Sequence, residues 1–307
     1  MSFNVSATVV EQILQRVDEQ HWPTHCLYVV ATPIGNLADL SLRAWQALLR
    51  ADLIAAEDTR SAQPLLQAWG VGTTVRALHR HNEAQATAQL IEGLQQGQRI
   101  ALISDAGAPA ISDPGGRVVH EVRQAGLRVL PIPGASAVTT ALMASGATSD
   151  EQPAFVFAGF SPHRKKQRQK WFAQWVDSTL PIVFYESPHR LLESAQDLAQ
   201  VFGPQRRLTL CRELTKRFEQ VHECAVGELE PWLTADADRQ RGEFVLIVHG
   251  QPKVRADQLD AHTKQWLDAL LGQLSVRDAV RVATQASGHS RQALYDYALD
   301  WRAKQSD

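Results

Sequence analysis

A chain of 307 residues exceeds what one ordinary hydrophobic core fills, so two domains and an appendage are expected. With 44% hydrophobic and 21% charged residues it reads as globular, which excludes a largely disordered chain. A net charge of −2 excludes the strongly basic balance of a protein that coats nucleic acid, so any nucleic-acid contact has to be a local patch.

Cys26, Cys211 and Cys224 are scattered, with no C-x-x-C pair. That excludes a disulfide framework and a zinc ribbon and suits a reducing, cytoplasmic setting. The longest apolar stretches are strand-sized, too short for a membrane span. Residues 1–24 read as an extension built on an amphipathic helix, with Val9, Val10, Ile13, Leu14 and Val17 at helical spacing until Pro23. Glu11, Arg16, Asp18 and Glu19 stand where a signal peptide would need an apolar run.

From Leu27 short apolar runs alternate with helical stretches. The runs are 27–31, 53–56, 100–104, 128–132, 154–157, 181–185, 208–211 and 244–248; helices are expected at 41–50, 84–95, 117–125, 135–144, 168–176 and 189–201. Continuous rather than alternating apolar runs indicate strands covered on both faces. The expectation is an α/β fold with a mostly parallel or mixed sheet in each of two halves, 25–134 and 135–250. A polar stretch from Gln251 to Asp257 reads as a linker, and 251–307 as linker plus helical domain. There, helices at 275–283 and 291–299 flank Ser287-Gly288-His289-Ser290, with Ser290 as N-cap, which is either helix-turn-helix grammar or a plain helical hairpin.

The chemistry is expected in the loops that follow the strands, where open α/β sheets bind ligands. After the first strand, Pro33 fixes φ and Gly35 admits a close backbone approach; neither G-x-G-x-x-G nor a Walker A loop occurs. Glu57-Asp58-Thr59-Arg60 places charge where a buried strand meets solvent, although acids also favour a plain helix start. The most informative segment is Ser104–Gly116, with three glycines, two prolines and two aspartates, a wall of backbone amides fit for a small polar molecule. Pro133-Gly134-Ala135-Ser136-Ala137 opens into a helix whose free N–H groups suit a carboxylate or hydroxyl. Polar ends at 185–190 and 212–216 imply that both halves face one cleft. His79-Arg80-His81-Asn82-Glu83 reads as a substrate-side loop, a surface loop or, least well supported, metal ligands, since no further ligand-like set accompanies it. The run His163–Lys170 is the densest basic stretch, suited to phosphate, whereas Trp171 and Trp175 four residues apart suit a core. Arg277, Arg281, His289 and Arg291 offer a second basic patch in the tail.

In order and spacing, T-P-I-G-N-L, A-E-D-T-R, S-D-A-G-x-P-x-I-S-D-P-G, F-Y-E-S-P-H-R and R-E-L-T-K resemble the ribosomal RNA small-subunit methyltransferase I family, over about residues 25–300. The resemblance implies the tetrapyrrole-methylase fold, paired subunits, and methylation of the ribose 2′-hydroxyl of a cytidine in 16S rRNA by S-adenosylmethionine. It implies that Asp105, Gly107, Ser136 and Ala137 line the donor site, and donor contacts are expected from Pro33, Ala108, Pro109, Ile111 and Tyr185 as well. Catalytic groups are expected among Glu57, Asp58, Arg60 and Glu186, with Glu57 or Asp58 as the base. RNA contacts are expected from His81, Asn82, Arg164, Lys165, Lys166, Arg190 and Lys216; no metal is expected. Ala108, Ala110 and Ala135 depart from the family's pattern, the first two close to the expected donor contacts. A tetrapyrrole carbon methyltransferase and a non-catalytic RNA-binding relative are the alternatives; the basic run and helical tail speak against the former.

Overall fold

The computed structural model describes residues 7–79, 82–251, 259, 261–287 and 289–305. Contacts divide the chain into two compact units, Met1–Gly250 and Gln251–Asp307.

The larger unit begins with helix α1 (Ala7–Asp18) and contains two five-stranded sheets. In the first, β1 (Cys26–Val30), β2 (Leu53–Ala56), β3 (Val75–Ala77), β4 (Arg99–Ile103) and β5 (Arg128–Ile132) lie in the order 3-2-4-1-5, all parallel. The crossovers contain α2 (Leu42–Arg50), α3 (Thr59–Ala68), α4 (Glu83–Gln95) and α5 (Gly116–Gln124). Side chains alternate across the sheet, so Tyr28 and Val30 join α2 and α3 in one apolar layer while Leu27 and Leu102 join α4 and α5 in the other. Both faces are therefore dry, which is why these strands read as unbroken apolar runs. Two consequences fix the site. The chain leaves β1 toward one face and the neighbouring β4 toward the other, which opens a crevice at their carboxyl ends. An isolated bridge between Thr32 and Gly107, with reciprocal N–H···O bonds of 2.9 and 3.0 Å, ties the two departing loops together there.

Helix α6 (Ala137–Ser145) leads into the second sheet. It comprises β6 (Val156–Phe160), β7 (Ile182–Glu186), β8 (Arg207–Arg212), β9 (Gln220–Ala225) and β10 (Phe244–Val248) in the order 6-7-10-8-9, with only β6 and β7 parallel. Helices α7 (Lys165–Ala173), α8 (Leu191–Phe202) and α9 (Val226–Thr234) cover one face around Phe172, Leu198 and Leu229. The other face packs on α6 and, through Val245 and Leu214, on Ile34 from the loop after β1. The two halves thus share one apolar layer beneath the crevice.

The helix expected at 168–176 begins earlier, inside the basic run, and two strands and two helices were not anticipated. β3 and β9 are short or half-exposed edge strands without a continuous apolar run, and α3 and α9 each contain a proline, Pro64 and Pro231. In the smaller unit α10 (Ala261–Leu271), α11 (Val276–Ser287) and α12 (Arg291–Gln305) enclose Leu267, Leu271, Val280, Ala283, Leu294 and Ala298. Ser275 caps α11 through the Asp278 N–H (3.2 Å), and Ser290 caps α12 through the Ala293 N–H (3.2 Å).

Candidate active site

A cavity of about 420 Å³ occupies the crevice between the halves. One wall is Asp105, Gly107, Ala108 and Ile111 with Ser136 and Ala137 at the start of α6; Tyr185 and Glu186 at the end of β7 and Val245 on β10 stand across it. Seven of the nine expected donor contacts line it; Pro33 and Pro109 do not. Sequence reasoning missed the apolar lining residues Ile34, Leu214 and Phe244, together with Phe160 and Glu243. Ile34 could have been found from its place between Pro33 and Gly35; the rest needed the second sheet's position.

The wall is held in unusual backbone. Gly107 has φ 75°, and a Cβ there would meet Ile34 Cγ2 at 3.2 Å. Ala110 (φ 70°) and Ser112 (φ 66°) in the same loop, and Glu213 (φ 51°) and Thr215 (φ 67°) opposite, also adopt left-handed conformations. Such strain persists where the surrounding structure over-determines the backbone, and it concentrates at binding sites. Of the departures from the family pattern, Ala108 lines the cavity and Ala110 does not.

Charged and apolar side chains both line the cavity. Asp105, Asp113 and Glu243 bring carboxylates to it, whereas Ile34, Leu214 and Val245 are apolar. Burial pushes the Cys211 thiol up to about 12, so this wall residue stays protonated. Burial, reinforced by Asp113, does the same to the Tyr185 phenol, also up to about 12. Ser136 makes no side-chain cap to α6, and Ser136 and Ala137 at that helix's start both line the cavity.

The expected catalytic groups divide. Asp58 lies just after β2, and its N–H donates to Asp105 Oδ1 (3.2 Å), joining it to the cavity's rim. Its own carboxylate caps α3 through the Arg60 N–H (2.8 Å) and is clamped by the Arg60 guanidinium (3.1, 3.2 and 2.7 Å). Those bonds hold its pKa down at about 2, too weak a base to take a proton from a hydroxyl. Glu57, half-buried beside it, is the remaining acid of that segment. Glu186, expected as a catalytic group, sits at the cavity as a buried anchor. Its carboxylate is fully buried, with Oε1 paired to Arg190 (3.0 Å) and accepting the Ser187 N–H (2.7 Å), while Oε2 accepts the Ser161 and Ser194 hydroxyls. Arg190, expected on RNA, is likewise turned inward onto Glu186.

The expected RNA contacts divide as well. Lys216 Nζ is held between Glu213 and Glu243 (2.9 Å each), and its stem fills the space that a Cβ on Gly35 would need. It therefore clasps the loops of the two halves instead of offering a free cation. Asn82 closes its own loop, accepting the His79 N–H (2.8 Å) and donating to Ala77 O (3.0 Å). Glu83 accepts the Gly115 N–H (3.4 Å), so the loop braces the glycine-rich wall; His81 lies outside the described residues. Within the basic run Arg168 is wholly buried and paired with Asp197 at 2.7 Å, whereas Arg164, Lys165 and Lys166 remain exposed around the first turn of α7. Trp171 packs on Phe172 and Phe184 in the core. Among the described residues no group of three or more His, Cys, Asp and Glu is placed to hold a metal, and no helix is long and apolar enough to cross a membrane.

Comparison with known proteins gives this geometry a family. Residues 26–230 match the model of the Tetrapyrrole (Corrin/Porphyrin) Methylases, and residues 257–302 match the RsmI C-terminal HTH domain. The ribosomal RNA small subunit methyltransferase I of Escherichia coli O157:H7 is 45% identical, over 89% of this chain and 94% of that protein. The proteins of the same name from Pasteurella multocida (43%, over 90% of this chain and 98% of that one) and Pseudomonas aeruginosa (42%, over 91% and 98%) are comparably similar. Among solved structures, uroporphyrin-III-C-methyltransferase from Thermus thermophilus shares the fold at a TM-score of 0.52 and 22% identity, over 73% of this chain and 94% of that one. Diphthine synthase does so at 0.56 and 16%, over 73% and 90%. The chain belongs to the ribosomal RNA small subunit methyltransferase I family and is a methyltransferase of the tetrapyrrole methylase fold.

Proposed function

We propose that this protein methylates the ribose 2′-hydroxyl of a cytidine in 16S rRNA, with S-adenosylmethionine as the donor held in the cavity between the two halves. The observation that supports a sulfonium donor most directly is a cavity lined both by acids, Asp105 and Asp113, and by apolar side chains, Ile34 and Val245. A cationic, partly apolar molecule with an anionic end matches that lining: the acids suit its charge, the apolar side chains its rings, and the start of α6 its carboxylate. When bound, the donor supplies an electrophilic methyl group. The protein's own contribution is to position it, keep water away and accept the proton that the hydroxyl releases. For that last role we propose Glu57, which follows β2 next to Asp58, whose N–H reaches Asp105 at the cavity (3.2 Å).

The relatives' names support ribosomal RNA over a tetrapyrrole as acceptor. We further propose that the assembled small subunit presents the RNA and that the enzyme is cytoplasmic. A homodimer is also part of the proposal: Met143 on α6 and Phe218 and Val221 at β9 leave apolar side chains exposed for a second copy to cover. Incubation with labelled donor and small subunits from cells lacking the protein, followed by mass spectrometry of 16S rRNA fragments, tests the reaction. One ribose-methylated cytidine is expected; an unmodified ribose would overturn the proposal.

Gly107→Ala is expected to weaken donor binding by roughly tenfold, because a left-handed alanine costs about 1–2 kcal/mol and its methyl presses on Ile34. Calorimetric titration with the donor reads this, and unchanged affinity would remove Gly107 from the donor wall. At α7 the expectation has two opposite signs. Arg164→Glu with Lys166→Glu should reduce the salt dependence of RNA binding by a slope of about 0.7 for each lost single-strand phosphate contact. The same change should raise thermal stability slightly, by about 0.3–1 kcal/mol per site, because acids suit a helix N-terminus where these cations do not. Weaker RNA binding accompanied by lower stability would mean that the patch is structural.

A further inference from the structure

Residues three apart on a regular strand point to opposite faces of the sheet. Phe157 and Phe160 on β6 do not: both set their rings edge-on to Tyr185, each at 5.1 Å and 63°. The cause is a slip in the β6–β7 register between these two residues, with Gly159 at φ 74° supplying the left-handed backbone. Bulges of this kind re-aim side chains beside binding sites. This one turns Phe160 to the cavity, where it is among the lining residues and yet remains 57% exposed. Its backbone is fixed on the far side, since the Ser161 N–H donates to Tyr185 O (3.4 Å) and the Ser161 hydroxyl donates to the buried Glu186. From the other half, Ser112 Oγ would lie 3.4 Å from a Cβ on Gly159, so the bulge sits where the two halves meet. Four residues later the exposed cations Arg164, Lys165 and Lys166 begin.

We infer that Phe160 is the stacking platform for an unpaired base of the acceptor RNA, holding the target nucleotide so that its sugar reaches the cavity. The inference rests on the RNA methyltransferase reading above and adds the residue that grips the base. A rigid, half-exposed aromatic next to phosphate-binding cations is how proteins hold single-stranded RNA, because every base has a π-face and the backbone next to it carries charge. A core role would bury the ring, as it does Phe172.

Phe160→Ala, Phe160→Leu and Phe160→Trp test it, and the ring's exposure leaves the fold undisturbed in each. With small subunits as acceptor, the alanine and leucine variants should lose roughly 5- to 150-fold in kcat/KM for RNA, while tryptophan restores it. Donor affinity, read by calorimetry, should fall far less than RNA binding in the alanine and leucine variants. Binding of a short cytidine oligoribonucleotide, read by fluorescence anisotropy, should weaken in the same order without depending on turnover. RNA binding and kinetics unchanged in Phe160→Ala would overturn the assignment, as would a parallel loss of donor affinity, which would give the ring to the donor. Should the wild type bind the oligonucleotide through Phe160 and methylate no rRNA, the platform stands and the proposed reaction falls.

Discussion

Glu186→Ala is expected to lower the free energy of unfolding by about 3–5 kcal/mol, because it strands one half of a buried ion pair. In the wild type that carboxylate accepts from Arg190, the Ser187 N–H and the hydroxyls of Ser161 and Ser194, with no face left to solvent. Removing it leaves a buried guanidinium and two buried hydroxyls without their acceptor, and the unmet polar groups dominate the loss. Urea denaturation of the whole chain reads the effect. Arg190→Met in the same background should recover part of it, since the stranded charge is then gone. A variant that kept its urea midpoint and lost only turnover would return Glu186 to the chemistry. The anchor also has a local purpose: it fixes Ser161, the residue after Phe160, and the turn that carries Pro188 to the cavity.

Glu57→Gln is expected to lower kcat by roughly 10²- to 10⁴-fold with donor affinity unchanged, the span typical of a lost general base. Asp58→Asn should do far less. Asparagine caps a helix as well as aspartate does, so α3 keeps its start. The pH profiles separate the two acids. Asp58 titrates at about 2 rather than the usual 3.8, so its charge is complete above about pH 4 and disappears only as pH falls through 2. No limb of the rate profile near neutrality can therefore belong to it, and Asp58→Asn should leave the shape of that profile intact. An acid limb that disappears in Asp58→Asn and persists in Glu57→Gln would reverse the assignment.

Much of the architecture was legible because burial on both faces writes itself into sequence as unbroken apolar runs. Leu27–Val30 and Phe244–Val248 are strands of that kind, and glycine and proline punctuate the loops that follow them. The cavity wall was legible for the same reason, since few structures other than a backbone cradle need the composition of Ser104–Gly116. Edge strands carry no such signal. In β9, His222 and Glu223 sit in a half-exposed strand whose order comes from pairing with β8. Side-chain direction was the larger gap. Glu186, Arg190 and Arg168 look like surface chemistry in one dimension, and only the packing of α7 and α8 on β7 turns them inward. Phe160 shows the converse, an aromatic that composition would bury and that a one-residue slip in register turns outward.

Co-crystallisation with S-adenosylhomocysteine, the demethylated donor, would examine the shared cavity without depending on any acceptor. Density is expected along Gly107 and Ala108, with the carboxylate at the start of α6 and the sulfur open toward Phe160. A ligand seated elsewhere, such as the arginine-lined depression between Arg217 and Arg241, would contradict the placement of the donor between the two halves.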